Sequence, residues 1–328
     1  MKATNIIVTG SGGFIGSRFI ELHSSKFEKV HAISRSNYET IDELAGRSQA
    51  IVHTAYDRSD FTKNIEVLNQ LVKLCISHKL KLVFISTFVV YDQQLRGELN
   101  EDSPYSTSSD PYTVVKQKCE SIIHKGIESG LQVVVLQPTI VYGMNGNWTL
   151  HAAKSVATGH LYLPKAGDAI CNAVHVDDVT DAIVLAIEKE VPPSTSKFIV
   201  SAEHPVTWKE FYQYHQFLVG NKTEVHDLPG AGKYSDKLSE KIIYGFMFSK
   251  PGYLMLSAAM PIVKRILGGR NKQGSLQQMI EQGKQLTAFV PKGMNRVYHS
   301  TEFTASIGKA KKLLEYQPKK KLSLFAAE

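Results

Sequence analysis

Thr9-Gly10-Ser11-Gly12-Gly13-Phe14-Ile15-Gly16 is the stretch on which the fold is read. It follows Asn5–Thr9, a β-branched run (NIIVT) that reads as a buried strand. It opens Phe14–Ser25, which reads as a helix. A strand, a glycine turn and a helix in that order bring backbone N–H groups and the positive end of a helix dipole to one place, which suits a pyrophosphate. Gly10 is expected to allow the tight turn, Gly13 to clear space for the phosphates and Gly16 to let helix and strand approach. Phe14 and Ile15 would supply the first helical turn beside them.

Outward from this turn, short apolar runs alternate with helical stretches. Val30–Ser34, Ala50–Thr54, Lys81–Ser86, Leu131–Gln137 and Lys197–Ser201 read as strands. Phe61–His78 carries apolar residues at helical spacing, and Pro111–Ser129 opens with a capping aspartate, Asp110, before a proline. The pattern predicts an α/β fold, a Rossmann-type doubly wound parallel sheet with its crevice at the carboxyl ends of the strands. After Tyr142 the pattern changes. Gly143–Trp148 reads as a loop, Cys171–Val176 as a short strand and Asp178–Glu190 as a helix. The expected division is residues 1–142 with 172–200 for a dinucleotide, and a smaller C-terminal domain of 143–171 with 201–328 for substrate. An apolar stretch, Ile242–Leu267, is interrupted by Pro251, Gly252 and Pro261 and carries Lys250, Lys264 and Arg265, so a membrane span is not expected there. It reads as packed helices or as an apolar lid.

Composition bounds the function classes. The 328 residues are 43% hydrophobic and 21% charged, which suits a large folded core rather than disorder. The net charge of +7 includes the run Lys319–Lys321, but no groove-reading motif accompanies it, so nucleic acid is not the expected partner. The run reads as a solvated face, and the positive balance would also attract an anionic small molecule. Three widely spaced cysteines, Cys75, Cys119 and Cys171, argue against a disulfide framework and a zinc site, so no metal is expected. The N-terminal sequence lacks a secretory signal pattern, and a reducing cytoplasmic setting is expected.

Two further positions bear on the cofactor and the chemistry. An acid at the end of the second strand would hold the ribose of NAD, but this chain has Ser34-Arg35-Ser36, and Arg35 can pair with the extra phosphate of NADP. Arg35 stacked on adenine would equally admit NAD. Tyr112 and Lys116 stand at i and i+4, on one helix face. An ammonium beside a phenol lowers its pKa, and such a phenol can exchange a proton with a hydroxyl while hydride moves at a nicotinamide.

The set of motifs resembles the extended short-chain dehydrogenase/reductase family, also called the NAD-dependent epimerase/dehydratase family. The pieces occur in order: the turn at 9–16, His53-Thr54-Ala55, Asn64, Ser86-Thr87 with Tyr91, Tyr112 with Lys116, Gln137-Pro138 with Val141-Tyr142-Gly143, and Val174-His175-Val176-Asp177-Asp178-Val179. The resemblance covers nearly the whole chain and is strongest over residues 4–200. It implies Thr87 as the hydrogen-bonding partner of the reacting oxygen, Tyr112 as acid/base, and Lys116 on the nicotinamide ribose. It implies cofactor contacts from Thr54, Ala55 and Tyr56, and from Pro138 and Ile140. Asp178 is expected to cap its helix. Ala310–Pro318 looks like the family's closing helix, with Glu315 where glycine is usual.

Departures narrow the implied chemistry. Phe88 and Val89 follow Thr87, where a sugar dehydratase carries Asp and Glu, so dehydration is not expected. The link over residues 35–49 is short and omits a family strand. Gln137 replaces the usual arginine. The implied reaction is oxidation or reduction of a hydroxyl or keto group, first of a nucleotide sugar by an epimerase or ketoreductase. Asn147, Lys154, Arg265, Arg270 and Arg296 are candidates for nucleotide contacts. The alternatives are a lipophilic alcohol, as in the 3-beta-hydroxysteroid dehydrogenase-like branch, and a cofactor-binding protein without turnover. A homodimer through Phe61–His78 and Pro111–Ser129 is a further expectation from the resemblance.

Overall fold

In the computed structural model, residues 4–192, 194, 196–228, 275–292 and 294–322 are described. The central sheet has six parallel strands: β1 (Asn5–Thr9), β2 (Lys29–Ile33), β3 (Ala50–His53), β4 (Lys81–Ile85), β5 (Gln132–Pro138) and β6 (Lys197–Val200). The principal helices are α1 (Phe14–His23), α2 (Phe61–His78), α3 (Pro111–Glu128), α4 (Asn147–Val156), α5 (Val176–Glu188) and α6 (Trp208–Val219). Across the sheet the order is β6-β5-β4-β3-β1-β2. The chain leaves β1 toward β2 and returns to β3 on the other side, so the glycine turn after β1 opens at the point where connections diverge.

Alternating side chains of one strand serve two cores. Ile6 and Val8 pack with Phe19 of α1 and with Val179, Ala182 and Ile183 of α5. Ile7 points the other way, toward Leu68 and Leu71 of α2 and Val115 and Cys119 of α3. Covering on both faces explains why these strands are apolar throughout. Helix starts are set by side chains: Asp60 accepts from the Lys63 N–H at 3.1 Å, and Asp110 from the Thr113 N–H at 3.0 Å. A third apolar cluster, with Phe88, Tyr91, Tyr142, Trp208, Phe211 and Phe303, holds α4 and α6 beside the carboxyl edge of β4. No described helix is long and apolar enough to cross a membrane.

Several sequence boundaries shift, each for a local reason. The first helix ends at His23 and a short 3-10 turn, Ser24–Lys26, follows. The strand read over Cys171–Val176 is two strands, Ile170–Cys171 and Ala173–His175. Between them, the Asn172 amide accepts from the Ala305 N–H at 2.8 Å and donates to the Phe303 carbonyl at 3.1 Å, replacing a ladder pairing. The presumed loop at 143–148 gives way to α4 at Asn147. Asp178 does not cap α5. His175 does, accepting from the Asp177 N–H at 3.2 Å, while Asp178 accepts from the Lys319 and Lys320 N–H groups. Lys319 and Lys320 are exposed, as expected of a solvated run, and their ammonium groups also lie 3.0 Å from Asp181 and 3.7 Å from Asp177. The three cysteines are buried free thiols. The 242–267 segment, including Arg265, and Arg270 lie outside the described residues.

Candidate active site

The carboxyl ends of β1, β4 and β5 open into a cavity of about 620 Å³. Phe14, Ile15, Thr54 and Tyr56 line it, as do Thr87, Tyr112 and Lys116, and Pro138 and Ile140 at and just beyond the end of β5. α4 contributes Asn147, Trp148 and His151, and Phe211, Phe289 and Tyr298 close the far side.

The glycine turn is built as a cradle. Gly10 has a φ of +75°, and a Cβ there would come within 2.6 Å of the Ala55 nitrogen. A Cβ on Gly16 would collide with the Gly10 carbonyl oxygen, so Gly16 permits α1 to press against the turn. Gly13 stands at the N-cap, and α1 has neither a side-chain cap nor an acid in its first turn. A Cβ on Gly12 would meet open space. An uncapped helix start at the cavity fits a pyrophosphate. The Thr54 hydroxyl is committed to the turn itself, donating to the Thr9 carbonyl at 2.8 Å, and Ala55 acts as its backbone wall. Below it the Thr9 hydroxyl and His53 Nδ1 lie 2.6 Å apart, and burial lowers the His53 pKa to about 3. Tyr56 lines the same cavity, and its hydroxyl is buried without a hydrogen-bond partner among the described residues.

Thr87 stands two residues beyond the end of β4, and Tyr112 and Lys116 occupy the first turns of α3. The Thr87 hydroxyl accepts from the Val89 N–H at 3.4 Å, and Thr87 and Tyr112 both line the cavity. The Lys116 ammonium donates to the Ile85 carbonyl at 2.7 Å and lies 4.9 Å from the centre of the Tyr56 ring and 5.9 Å from that of Tyr112. Burial lowers the Lys116 pKa to about 8, with Cys119 and Glu120 opposing. Tyr112 departs from the sequence expectation. Burial raises its phenol above the usual value, with the nearby Thr87 side chain opposing.

Sequence reasoning did not single out Glu120, which stands one helical turn beyond Lys116. Its buried carboxylate accepts from the Ser86 hydroxyl at 2.5 Å, the Tyr105 hydroxyl at 2.6 Å and the Gln137 amide at 2.8 Å. Gln137 then accepts from the Tyr91 hydroxyl at 2.9 Å. This network ties α3, β4 and β5 together behind the cavity. The i+4 spacing from Lys116 was the available signal.

The remaining expected residues fall near the cavity without lining it. Arg35 is exposed and pairs with Asp57 at 3.1 Å, while Ser34 donates to Asn37. Arg296 lies on the short helix Met294–Tyr298 next to cavity-lining Asn295, but does not line the cavity itself. Lys154 bonds Gln282 on the surface.

This cradle, with the threonine, phenol and lysine gathered beside it, is the arrangement of an extended short-chain dehydrogenase/reductase. The chain belongs to the NAD dependent epimerase/dehydratase family, whose model matches residues 6–199. It is therefore an enzyme of that type. Among curated proteins it is similar to a 2-alkyl-3-oxoalkanoate reductase of Stenotrophomonas maltophilia (strain K279a), 22% identical over 240 residues, covering 62% of this chain and 72% of that protein. Among solved structures it is similar to a mutant UDP-glucuronic acid 4-epimerase of Bacillus cereus bound to NAD and a fluorinated UDP-sugar, with a TM-score of 0.64 and 18% identity over 97% of this chain and 95% of that one. The UDP-glucose 4-epimerase of Thermotoga maritima gives a TM-score of 0.61 with 17% identity over 97% and 94%. At these identities the structural likeness speaks to the fold.

Proposed function

We propose that the protein is an NAD(P)-dependent oxidoreductase that reduces or oxidises one hydroxyl or keto carbon, with a nucleotide sugar as its first substrate class. The observation that carries the reading is that Thr87, Tyr112 and Lys116 line the same cavity as Phe14 and Ile15 of the helix that the glycine turn opens. A nicotinamide dinucleotide, when bound, supplies or accepts the hydride. The turn at Gly10–Gly16 would hold its pyrophosphate, with Tyr56, Pro138, Ile140 and Lys116 flanking the rest. Tyr112 would give its phenolic proton to the ketone oxygen as the alcohol forms, and Thr87 would hold that oxygen by a hydrogen bond. A phenol whose burial favours the protonated form suits the reducing direction.

The far end of the cavity mixes aromatic faces, Trp148, Phe211 and Tyr298, with Asn147, His151, Ser155 and Asn295. Polar groups interleaved with aromatic faces suit a polyhydroxylated ring, which offers both hydroxyls and an apolar face. Arg296, beside Asn295, would approach the nucleotide. A second reading, a lipophilic ketone, draws on a different observation. Arg58 and Lys116 are the only lysine or arginine lining the cavity among the described residues, which is little charge for a diphosphate. For the cofactor, the absence of an acid at the end of β2 supports NADP. Asp57 competes for Arg35, but that side chain is 74% exposed and the exchange costs little, so NAD remains second. A homodimer through the outer faces of α2 and α3 belongs to the same reading.

The test is a panel of UDP-sugars, GDP-sugars, 2-alkyl-3-oxoalkanoates and sterols with NADH and NADPH, followed at the nicotinamide absorbance and by product analysis. Turnover or epimerisation of a nucleotide sugar supports the first reading. Turnover of the oxoalkanoates or sterols alone replaces it with the second, and cofactor binding without any hydride transfer would overturn both.

A further inference from the structure

Away from the cavity, a parallel two-stranded ribbon pairs His160–Leu163 with Glu224–Asp227. The register sets Glu224 opposite His160 and His226 opposite Tyr162, so all four side chains lie on one face of the ribbon. On that face three donor atoms converge. His160 Nδ1 lies 3.2 Å from His226 Nε2, and Glu224 Oε2 lies 3.7 Å from each of them.

We propose that His160, Glu224 and His226 form a binding site for a borderline transition-metal cation, zinc foremost. A tetrahedral ion with bonds of about 2.0–2.1 Å holds its ligand atoms about 3.3–3.4 Å apart. The observed triangle requires adjustments of only a few tenths of an ångström. Two imidazoles and one carboxylate select zinc, cobalt, nickel or copper over magnesium and calcium, which prefer oxygen cages. His226 is oriented by the Tyr162 ring, stacked on it at 4.7 Å and 25°. The side chains are partly exposed, 48% for His160, 73% for Glu224 and 35% for His226, so the ion would keep its fourth position for water or an exogenous ligand. The sequence expectation of no metal rested on the cysteines. The two histidines stand 66 residues apart in the chain, and the ribbon register unites them.

The consequence is a clip. Phe289, which lines the active-site cavity, exchanges backbone hydrogen bonds with this ribbon: Tyr162 N–H to Phe289 O and Phe289 N–H to His160 O, both 2.9 Å. A bound ion would join the two strands that carry that wall and stabilise them by mass action.

The experiment uses the full chain, free of any affinity tag and stripped with a chelator. Zn²⁺ is titrated against a chromophoric competitor, and thermal unfolding is followed with Zn²⁺, Mg²⁺ or Ca²⁺ in excess. One equivalent of Zn²⁺ should bind and raise the unfolding temperature, with no rise from Mg²⁺ or Ca²⁺. His226→Ala and Glu224→Gln should each weaken binding at least tenfold and abolish the rise, while their metal-free unfolding temperatures match the parent chain and establish that they are folded. Failure of the parent chain to bind Zn²⁺ overturns the site, as does unchanged binding in both variants. A variant with a lowered metal-free unfolding temperature is replaced by His160→Gln, judged by the same criterion.

Discussion

Lys116 donates its ammonium to the carbonyl oxygen of Ile85, the last residue of β4, at 2.7 Å. The strand that leads into Thr87, two residues further on, therefore also anchors the lysine of α3. Burial lowers the Lys116 pKa to about 8, so the ammonium is present below that pH and lost above it. Steady-state reduction should decline as pH rises through about 8, well before tyrosine titrates. Lys116→Met should remove this inflection and lower kcat/KM by roughly 10²-fold or more. A flat profile from pH 7 to 10 in the parent enzyme would separate the lysine from turnover.

Acid should destabilise the fold through its buried imidazoles. Burial lowers His53 to about 3, His215 to about 4 and His299 to about 4. Below the unfolded value the unfolded chain binds protons that the folded chain refuses, so stability falls as pH drops from 7 and continues to fall toward 4. At pH 5 each contributes a loss of about 2 kcal/mol. Glu101 and Asp178, whose carboxyls burial raises, offset part of it. Denaturant unfolding at pH 7 and pH 5 reads the sum, and His53→Gln should flatten the dependence.

The Gly16 position is tested by a single methyl group. Gly16→Ala would place its Cβ against the Gly10 carbonyl oxygen, which is backbone and cannot swing aside. Cofactor affinity should fall at least tenfold in fluorescence titrations with NADH or NADPH. Gly12→Ala, whose Cβ meets nothing in the protein, separates protein packing from space needed by the ligand.

Glu315 closes the helix Gly308–Leu314 with a φ of +59°, a left-handed conformation in which glycine is at ease. Its carboxylate reaches Lys189 at 2.5 Å, an exposed pair of small worth. Both Glu315→Ala and Glu315→Gly lose that pair, and only the second relieves the backbone. The glycine variant should be more stable than the alanine variant by about 1 kcal/mol in urea unfolding.

The sheet was legible because its central strands are short, apolar and buried, and because the turn at 9–16 sits between a strand and a helix. Phe61–His78 was readable to the residue, bounded by Asp60 and by the left-handed Lys79. The helix at Val176–Glu188 was placed two residues late, because its cap is a histidine rather than one of the usual short polar residues. Long-range pairing was less visible. The break at Asn172 depends on Phe303 and Ala305, and the pairing of Lys319 with Asp181 joins residues 138 apart. Tyr112 and Lys116 were singled out by their spacing and Thr87 by the family resemblance, and all three line one cavity; the direction of the Tyr112 shift was not legible, since it depends on how deeply the phenol is buried.

The central claim concerns the Tyr112 phenol beside Thr87, and single-turnover reduction by Tyr112→Phe tests it most directly. With a substrate identified from the panel, the variant should bind NADH or NADPH as the parent does, yet transfer hydride about 10²–10⁴-fold more slowly. Hydride transfer at the parental rate would contradict the assignment of that phenol.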